Sequence, residues 1–167
     1  IVSSIRRRNL LRQLERMSYR DQLTQFGNRY AVDWFVEHEW NGEQIGVVYC
    51  DITGLKKVND EQGHEAGDRL IIRACECLAG VFKGYGLYRI GGDEFLVLCL
   101  GIEEKDLREH VEKLHMDMKE HQVTMAVGMI WKEHGPKDID LLLNESERLM
   151  YEDKDRYYKE HGLKRRR

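Results

Sequence analysis

An α+β fold with a βαββαβ core is predicted by three features of this sequence. Short apolar runs rich in β-branched and aromatic residues occur at 45–51, 86–90, 94–100 and 123–131. Stretches with apolar residues at helical spacing separate the first run from the second and the third from the fourth. Only the short Gly91-Gly92-Asp93 step interrupts the apolar character between the second run and the third.

Each element follows from local pattern. Residues 3–20 are charged and poor in helix breakers, so they read as a helix. Leu10, Leu14 and Met17 keep a heptad spacing, but the heptad positions on either side of Leu14 are Arg7 and Asp21, a weak coiled-coil pattern. This helix (1–18) is expected to connect an upstream domain to the main domain, 19–167. After the turn-like "QFGN", a helix is predicted over 29–40. "IGVVYCD" (45–51) reads as a buried strand ending on Asp51. Helices at 54–60 and 66–82 are separated by Gly63. "GLYRI" and "EFLVLCL" form a hairpin, with Gly91-Gly92 expected to take the positive φ angles of a tight turn. Leu107, Val111, Leu114 and Met118 line one face of a helix, and "VTMAVGMIW" is the fourth strand. Ile139, Leu142, Leu143, Leu149 and Met150 line the last helix.

The order from residue 45 is the split βαβ, or ferredoxin-like, pattern. Right-handed crossovers then put the first and third strands side by side and antiparallel at the sheet centre. The end of one meets the start of the other, so Asp51, Asp93 and Glu94 are expected to converge at one sheet edge.

Bulk properties narrow the function. At 167 residues and 41% hydrophobic, the chain suits one compact domain. A net charge of −3 speaks against a nucleic-acid-binding domain, and the basic runs Arg6-Arg7-Arg8 and Lys164-Arg165-Arg166-Arg167 read as solvated ends. No apolar run reaches membrane-spanning length. Cys50, Cys75, Cys77 and Cys99 form no C-x-x-C pair and read as buried thiols of a cytoplasmic domain. The seven histidines show no H-E-x-x-H spacing. No signal peptide is visible and the chain does not begin with Met, so a fragment of a longer protein is expected, with the full-length protein left open to membrane anchoring.

Clustered carboxylates repel unless protons or a cation intervene. Hard oxygen ligands without His or Cys suit Mg²⁺ or Mn²⁺, and magnesium completes its shell with water and substrate phosphates. A nucleoside triphosphate is the expected ligand. An isolated G-G-D-E is equally an ordinary polar hairpin; its convergence with Asp51 favours the metal site.

"RIGGDEF" (89–95) resembles the signature of the GGDEF domain, the diguanylate cyclase family. "DQLTQFGNR" (21–29), "DITGLKKVND" (51–60), "GHEAGD" (63–68) and "MYEDK" (150–154) resemble its other motifs, in the right order. The resemblance spans about 19–160. It implies a palm-type sheet, condensation of two GTP into cyclic di-GMP with release of two pyrophosphates, and catalysis by a homodimer. It also implies residue roles. Asp51, Asp93 and the Ile52 carbonyl would hold Mg²⁺, with Glu94 either a second-metal ligand or a general base. Lys56 and Lys154 would contact phosphates, Asn59 and Asp68 would read guanine, and His64 would support that segment. Gly91 and Gly92 would let the phosphates approach the backbone.

Four departures stand out. Thr53 occupies a position where many members carry a second aspartate. Gly54 and Leu55 replace phenylalanines, and Tyr158 replaces a phosphate-binding arginine beside Lys159. Phe82-Lys83-Gly84-Tyr85 replaces the R-x-x-D site for product inhibition. Active cyclase is the leading reading; the alternative is a catalytically weak GGDEF domain that binds GTP as a regulatory module. An RNA-binding ferredoxin-like module would need exposed aromatics and a basic face, and the sequence offers neither.

Overall fold

A computed structural model describes residues 2–163; the basic run 164–167 lies outside the described residues. Four strands, β1 (Ile45–Ile52), β2 (Gly86–Arg89), β3 (Glu94–Leu100) and β4 (Met125–Lys132), form one sheet in the order β2-β3-β1-β4. Every pairing is antiparallel, with β1 and β3 at the centre, as the crossover argument requires. Six helices accompany them: α1 (Val2–Ser18), α2 (Arg29–His38), α3 (Leu55–Gln62), α4 (His64–Val81), α5 (Glu104–Glu120) and α6 (Asp140–Glu160).

Helices cover both faces of the sheet, which explains why β1 reads as one continuous apolar run: all eight of its residues are buried. One face turns Val48, Cys50, Ile52, Phe95 and Val97 toward Leu70 and Leu78 of α4 and Leu107 and Leu114 of α5. The other turns Val47, Tyr49, Leu96 and Leu98 toward Val32 and Phe35 of α2 and Leu142 and Met150 of α6. The strand period of two decides this sorting, and it puts Asp51 on the α6 side with Tyr49. Helix α6 seats directly on β4 at Gly128, where a Cβ would overlap the Ser146 carbonyl and the Met150 backbone. That close approach carries Lys154, one turn beyond Met150, to the end of β1.

The hairpin differs from expectation. Strand β2 ends at Arg89 and β3 begins at Glu94, so the connection is a four-residue loop, 90–93. Neither Gly91 nor Gly92 adopts a positive φ. Four-residue hairpin loops are commonly built around a type I turn, which needs no left-handed residue, unlike a two-residue primed turn. Ile90 N donates to the Glu94 carbonyl at 3.0 Å, and Arg89 clamps the loop through the Gly92 carbonyl at 2.7 Å.

The segment between α1 and α2 is also tied down. Asn28 caps α2 by accepting from Ala31 N at 3.1 Å, and its amide donates back to the Ser18 carbonyl at the end of α1. Gly27 bonds both ways with the outer edge of β2, donating to the Leu87 carbonyl at 3.0 Å and accepting from Arg89 N at 2.8 Å. All four cysteines are free and buried. Among the described residues, no helix is long and apolar enough to cross a membrane.

Candidate active site

The register of the central strand pair builds the site. Asp51 lies opposite Glu94, and Ile52 N donates to the Asp93 carbonyl at 2.8 Å, so the end of β1 is stitched to the start of β3. Oxygens of Asp51, Asp93 and Glu94 lie within 4.8 Å of one another. Asp51 is only 3% exposed, while Asp93 and Glu94 are half-buried.

Such crowding has an electrostatic cost. Burial and then the neighbouring Asp93 carboxylate push the Asp51 carboxyl up to about 6, while Lys154 pulls the other way. The Lys154 ammonium donates to Asp51 Oδ1 at 3.2 Å. One ammonium beside three carboxylates leaves an excess of negative charge. The donor set is all oxygen and partly sheltered, and a hard divalent cation fits it by charge and chemistry. Asp51, Asp93, Glu94 and the carbonyl of Ile52, which closes β1, are the groups able to hold one.

Asn59 meets Gly67, the neighbour of Asp68 in the chain, where α3 folds back on α4. Gly63 makes this corner with φ +89° and donates its N–H to the Asn59 carbonyl at 3.0 Å. A Cβ at Gly67 would overlap Asn59 Oδ1, so the missing side chain is what seats the Asn59 amide against α4. His64, the first residue of α4, is exposed, as is Asp68 one turn later. Lys56 stands exposed on the first turn of α3, between the two groups in the chain. Gly54 starts that helix in the left-handed region (φ +82°) with no side-chain cap, leaving its first amides open to an anion. Nothing lies within 4 Å of a Cβ built at Gly92, so the hairpin offers open space beside the carboxylates.

The departures take ordinary structural places. Thr53 N donates to the Thr124 carbonyl at 2.8 Å, and Leu55 packs against the α4–α5 side of the core. Tyr158 is half-buried with its ring edge-on to Tyr157, and Lys159 is exposed. Phe82 is fully buried, and Tyr85 lies edge-on to His110, so hydrophobic packing fills the region of the absent arginine–aspartate pair.

Three participants escaped the sequence reading. The Tyr49 hydroxyl donates to Glu94 Oε2 at 3.0 Å, although Tyr49 sits in an apolar run and reads as core. Arg89 pairs with Asp21 at 3.2 Å, a contact spanning 68 residues that no local pattern announces. Gly67 carries no signal beyond its motif.

Comparisons with known proteins bear on family and fold. The family described as diguanylate cyclase, GGDEF domain, matches residues 18–159. The diguanylate cyclase DgcP of Escherichia coli is 30% identical over 152 residues, which is 82% of this chain and 45% of that protein. The bifunctional diguanylate cyclase/cyclic di-GMP phosphodiesterase MucR of Pseudomonas aeruginosa is 29% identical, covering 93% of this chain and 24% of that protein. The chain thus spans less than half the length of these relatives. Among solved structures, the coiled coil and GGDEF domain of DgcB from Caulobacter crescentus, in complex with c-di-GMP, superposes with a TM-score of 0.77 at 20% identity, covering 97% of this chain and 91% of that one. That likeness is one of fold. With the family match covering most of its length, the chain belongs to the diguanylate cyclase GGDEF-domain family.

Proposed function

We propose that this chain is a Mg²⁺-dependent diguanylate cyclase, joining two GTP molecules into cyclic di-GMP and releasing two pyrophosphates. The single observation that carries this is the convergence of Asp51, Asp93 and Glu94 within 4.8 Å beside the open Gly91-Gly92 hairpin. Membership of the GGDEF family and similarity to DgcP support it.

In this reading Asp51, Asp93, Glu94 and the Ile52 carbonyl bind the cation. When bound, Mg²⁺ (or Mn²⁺) polarises the α-phosphate and leaving pyrophosphate and favours deprotonation of the attacking 3′-hydroxyl. Lys154, already drawn to Asp51, offsets charge on the triphosphate from one side, and Lys56 with the open amides of α3 does so from the other. Gly91 and Gly92 keep the approach clear. Asn59 and Asp68 read the guanine edge, where a carboxylate accepts from N1–H and the 2-amino group; His64 supports that corner.

Each site holds one GTP, whose 3′-hydroxyl attacks the α-phosphate held by the facing site, so the working unit is a homodimer. The exposed apolar residues Ile5, Leu10 and Leu14 of α1 supply a weak pairing surface, and an upstream sensory domain would control it. The GTP supply puts the domain in the cytoplasm.

The test is to incubate purified protein with GTP and Mg²⁺, chromatograph the products, and measure initial rate per protomer against protein concentration. Cyclic di-GMP should form, with a rate rising more than linearly with concentration. A leucine zipper fused before Ser3 in heptad phase should raise the rate by raising effective concentration. GTP binding without product at any concentration, zipper included, would instead identify a regulatory GTP-binding module.

A further inference from the structure

We propose that Tyr49 is a positioning residue for this site: its hydroxyl holds Glu94 in the orientation in which three carboxylates share one cation. This rests on the metal-dependent reading given above and assigns a role to a residue outside the motifs.

The geometry follows from the strand. Tyr49 precedes Asp51 by two residues, so the two side chains share a face of β1. Tyr49 lies opposite Leu96 and Asp51 opposite Glu94, which brings the phenol diagonally across to Glu94. The hydroxyl donates to Oε2 at 3.0 Å. A Cβ built at Gly91 would lie 3.3 Å from the same oxygen, so the absence of a side chain at Gly91 leaves Oε2 its place beside the loop. Tyr49 is only 5% exposed, among Val47, Leu96 and Leu98, where a phenylalanine ring would pack equally well. A buried phenol needs a partner for its hydroxyl, and the one it takes here is a site carboxylate.

The physical need is clear. Glutamate has three rotatable bonds, and repulsion from Asp51 and Asp93 drives an unheld Glu94 carboxylate away from them toward solvent. A neutral donor fixes one oxygen without adding charge, and leaves the Oε1 lone pairs for a cation. Hydrogen-bond partners that orient metal ligands in this way are commonly worth 10–100-fold in metal affinity or activity.

The experiment compares wild type with Tyr49→Phe, using Mn²⁺ as probe, by electron paramagnetic resonance titration without GTP. The dissociation constant for Mn²⁺ should rise about tenfold or more in the variant, with melting temperature nearly unchanged. In turnover assays, half-saturation should move to higher Mn²⁺ while kcat at saturating metal is largely recovered. In a Glu94→Ala background, Tyr49→Phe should have no further effect on Mn²⁺ affinity. Equal Mn²⁺ affinity in wild type and Tyr49→Phe overturns the inference alone, as does an undiminished effect in the Glu94→Ala background. Failure of the wild type to bind Mn²⁺ both alone and with a non-hydrolysable GTP analogue overturns the inference and the metal-dependent cyclase reading together.

Discussion

Arg89 and Asp21, 68 residues apart, meet as an ion pair at 3.2 Å, and the same guanidinium holds the Gly92 carbonyl at 2.7 Å. One side chain thus joins the turn that follows α1 to the loop that presents Asp93. Asp21 also accepts from the Thr24 amide at 2.9 Å and hydroxyl at 2.7 Å, so the turn is closed locally before Arg89 reaches it. Burial raises the Asp21 carboxyl, but bonds from Thr24 and Arg89 outweigh it and leave the group below its ordinary value.

Arg89→Ala should therefore cost about 1–3 kcal/mol of stability and lower turnover by loosening the 90–93 loop. Arg89→Lys should recover only part of either, because a compact ammonium lacks the planar fork whose separate nitrogens reach the Asp21 carboxylate and the Gly92 carbonyl at once. The lowered Asp21 value gives the sign of the pH effect. Its contribution is present above the unfolded value of 3.8 and fades as pH falls through the lower folded one. Urea denaturation at pH 7 and pH 3 should show the wild-type advantage shrinking at the lower pH.

Asp51 has the opposite sign. Its carboxyl is raised from 3.8 to about 6, so protonation favours the folded state, and that stabilisation is lost as pH rises through about 6. Without metal, the wild type should gain stability relative to Asp51→Asn as pH falls from 7 to 4. Asp93→Ala should abolish Mg²⁺-dependent turnover, raise the metal-free melting temperature at pH 7 and flatten this pH dependence, since Asp93 is a principal neighbour pushing Asp51 up. Thermal melts across pH, with chelator and then with Mg²⁺, read all of these effects. Wild-type activity in Asp93→Ala would remove that residue from the site.

Gly67→Ala separates nucleotide recognition from stability. The added methyl displaces the Asn59 amide, while alanine improves a helix interior by about 0.5–1 kcal/mol relative to glycine. Calorimetry with a non-hydrolysable GTP analogue should show weaker binding in a protein that melts no lower than wild type. Unchanged affinity would mean that Asn59 does not touch the base.

Feedback by product should be weak at the 82–85 corner. Phe82 is fully buried and Tyr85 lies against His110, and residues 82–85 themselves supply neither a guanidinium nor a carboxylate. Cyclic di-GMP titrated into the wild type and into Lys83→Ala should give the same isotherm. Tight binding lost on changing residues 82–85 would reverse this expectation.

The sequence carries the fold because its two central strands are buried on both faces, so their apolar runs stand out, and because glycines punctuate the chain between elements. It carries the carboxylate cluster because antiparallel neighbours must bring Asp51 and Asp93 to one edge. What stayed hidden depends on distance or on ambiguity of residue type. Tyr49 looks like any core aromatic until its hydroxyl is located, and the Arg89–Asp21 pair joins separate motifs. The Gly91-Gly92 conformation was misread because a glycine pair suits two purposes, a left-handed turn or simple absence of bulk, and here the second applies.

Helix α1 is a stiff rod of 17 residues, about 25 Å long. Its base is fastened by the bond from Asn28 to the Ser18 carbonyl and a second from Asn28 N to the Tyr19 carbonyl at 3.0 Å. A rod fastened at its foot acts as a lever. A turn of that lever would meet the Asp21 turn first, and Arg89 ties that turn to the loop that carries Asp93.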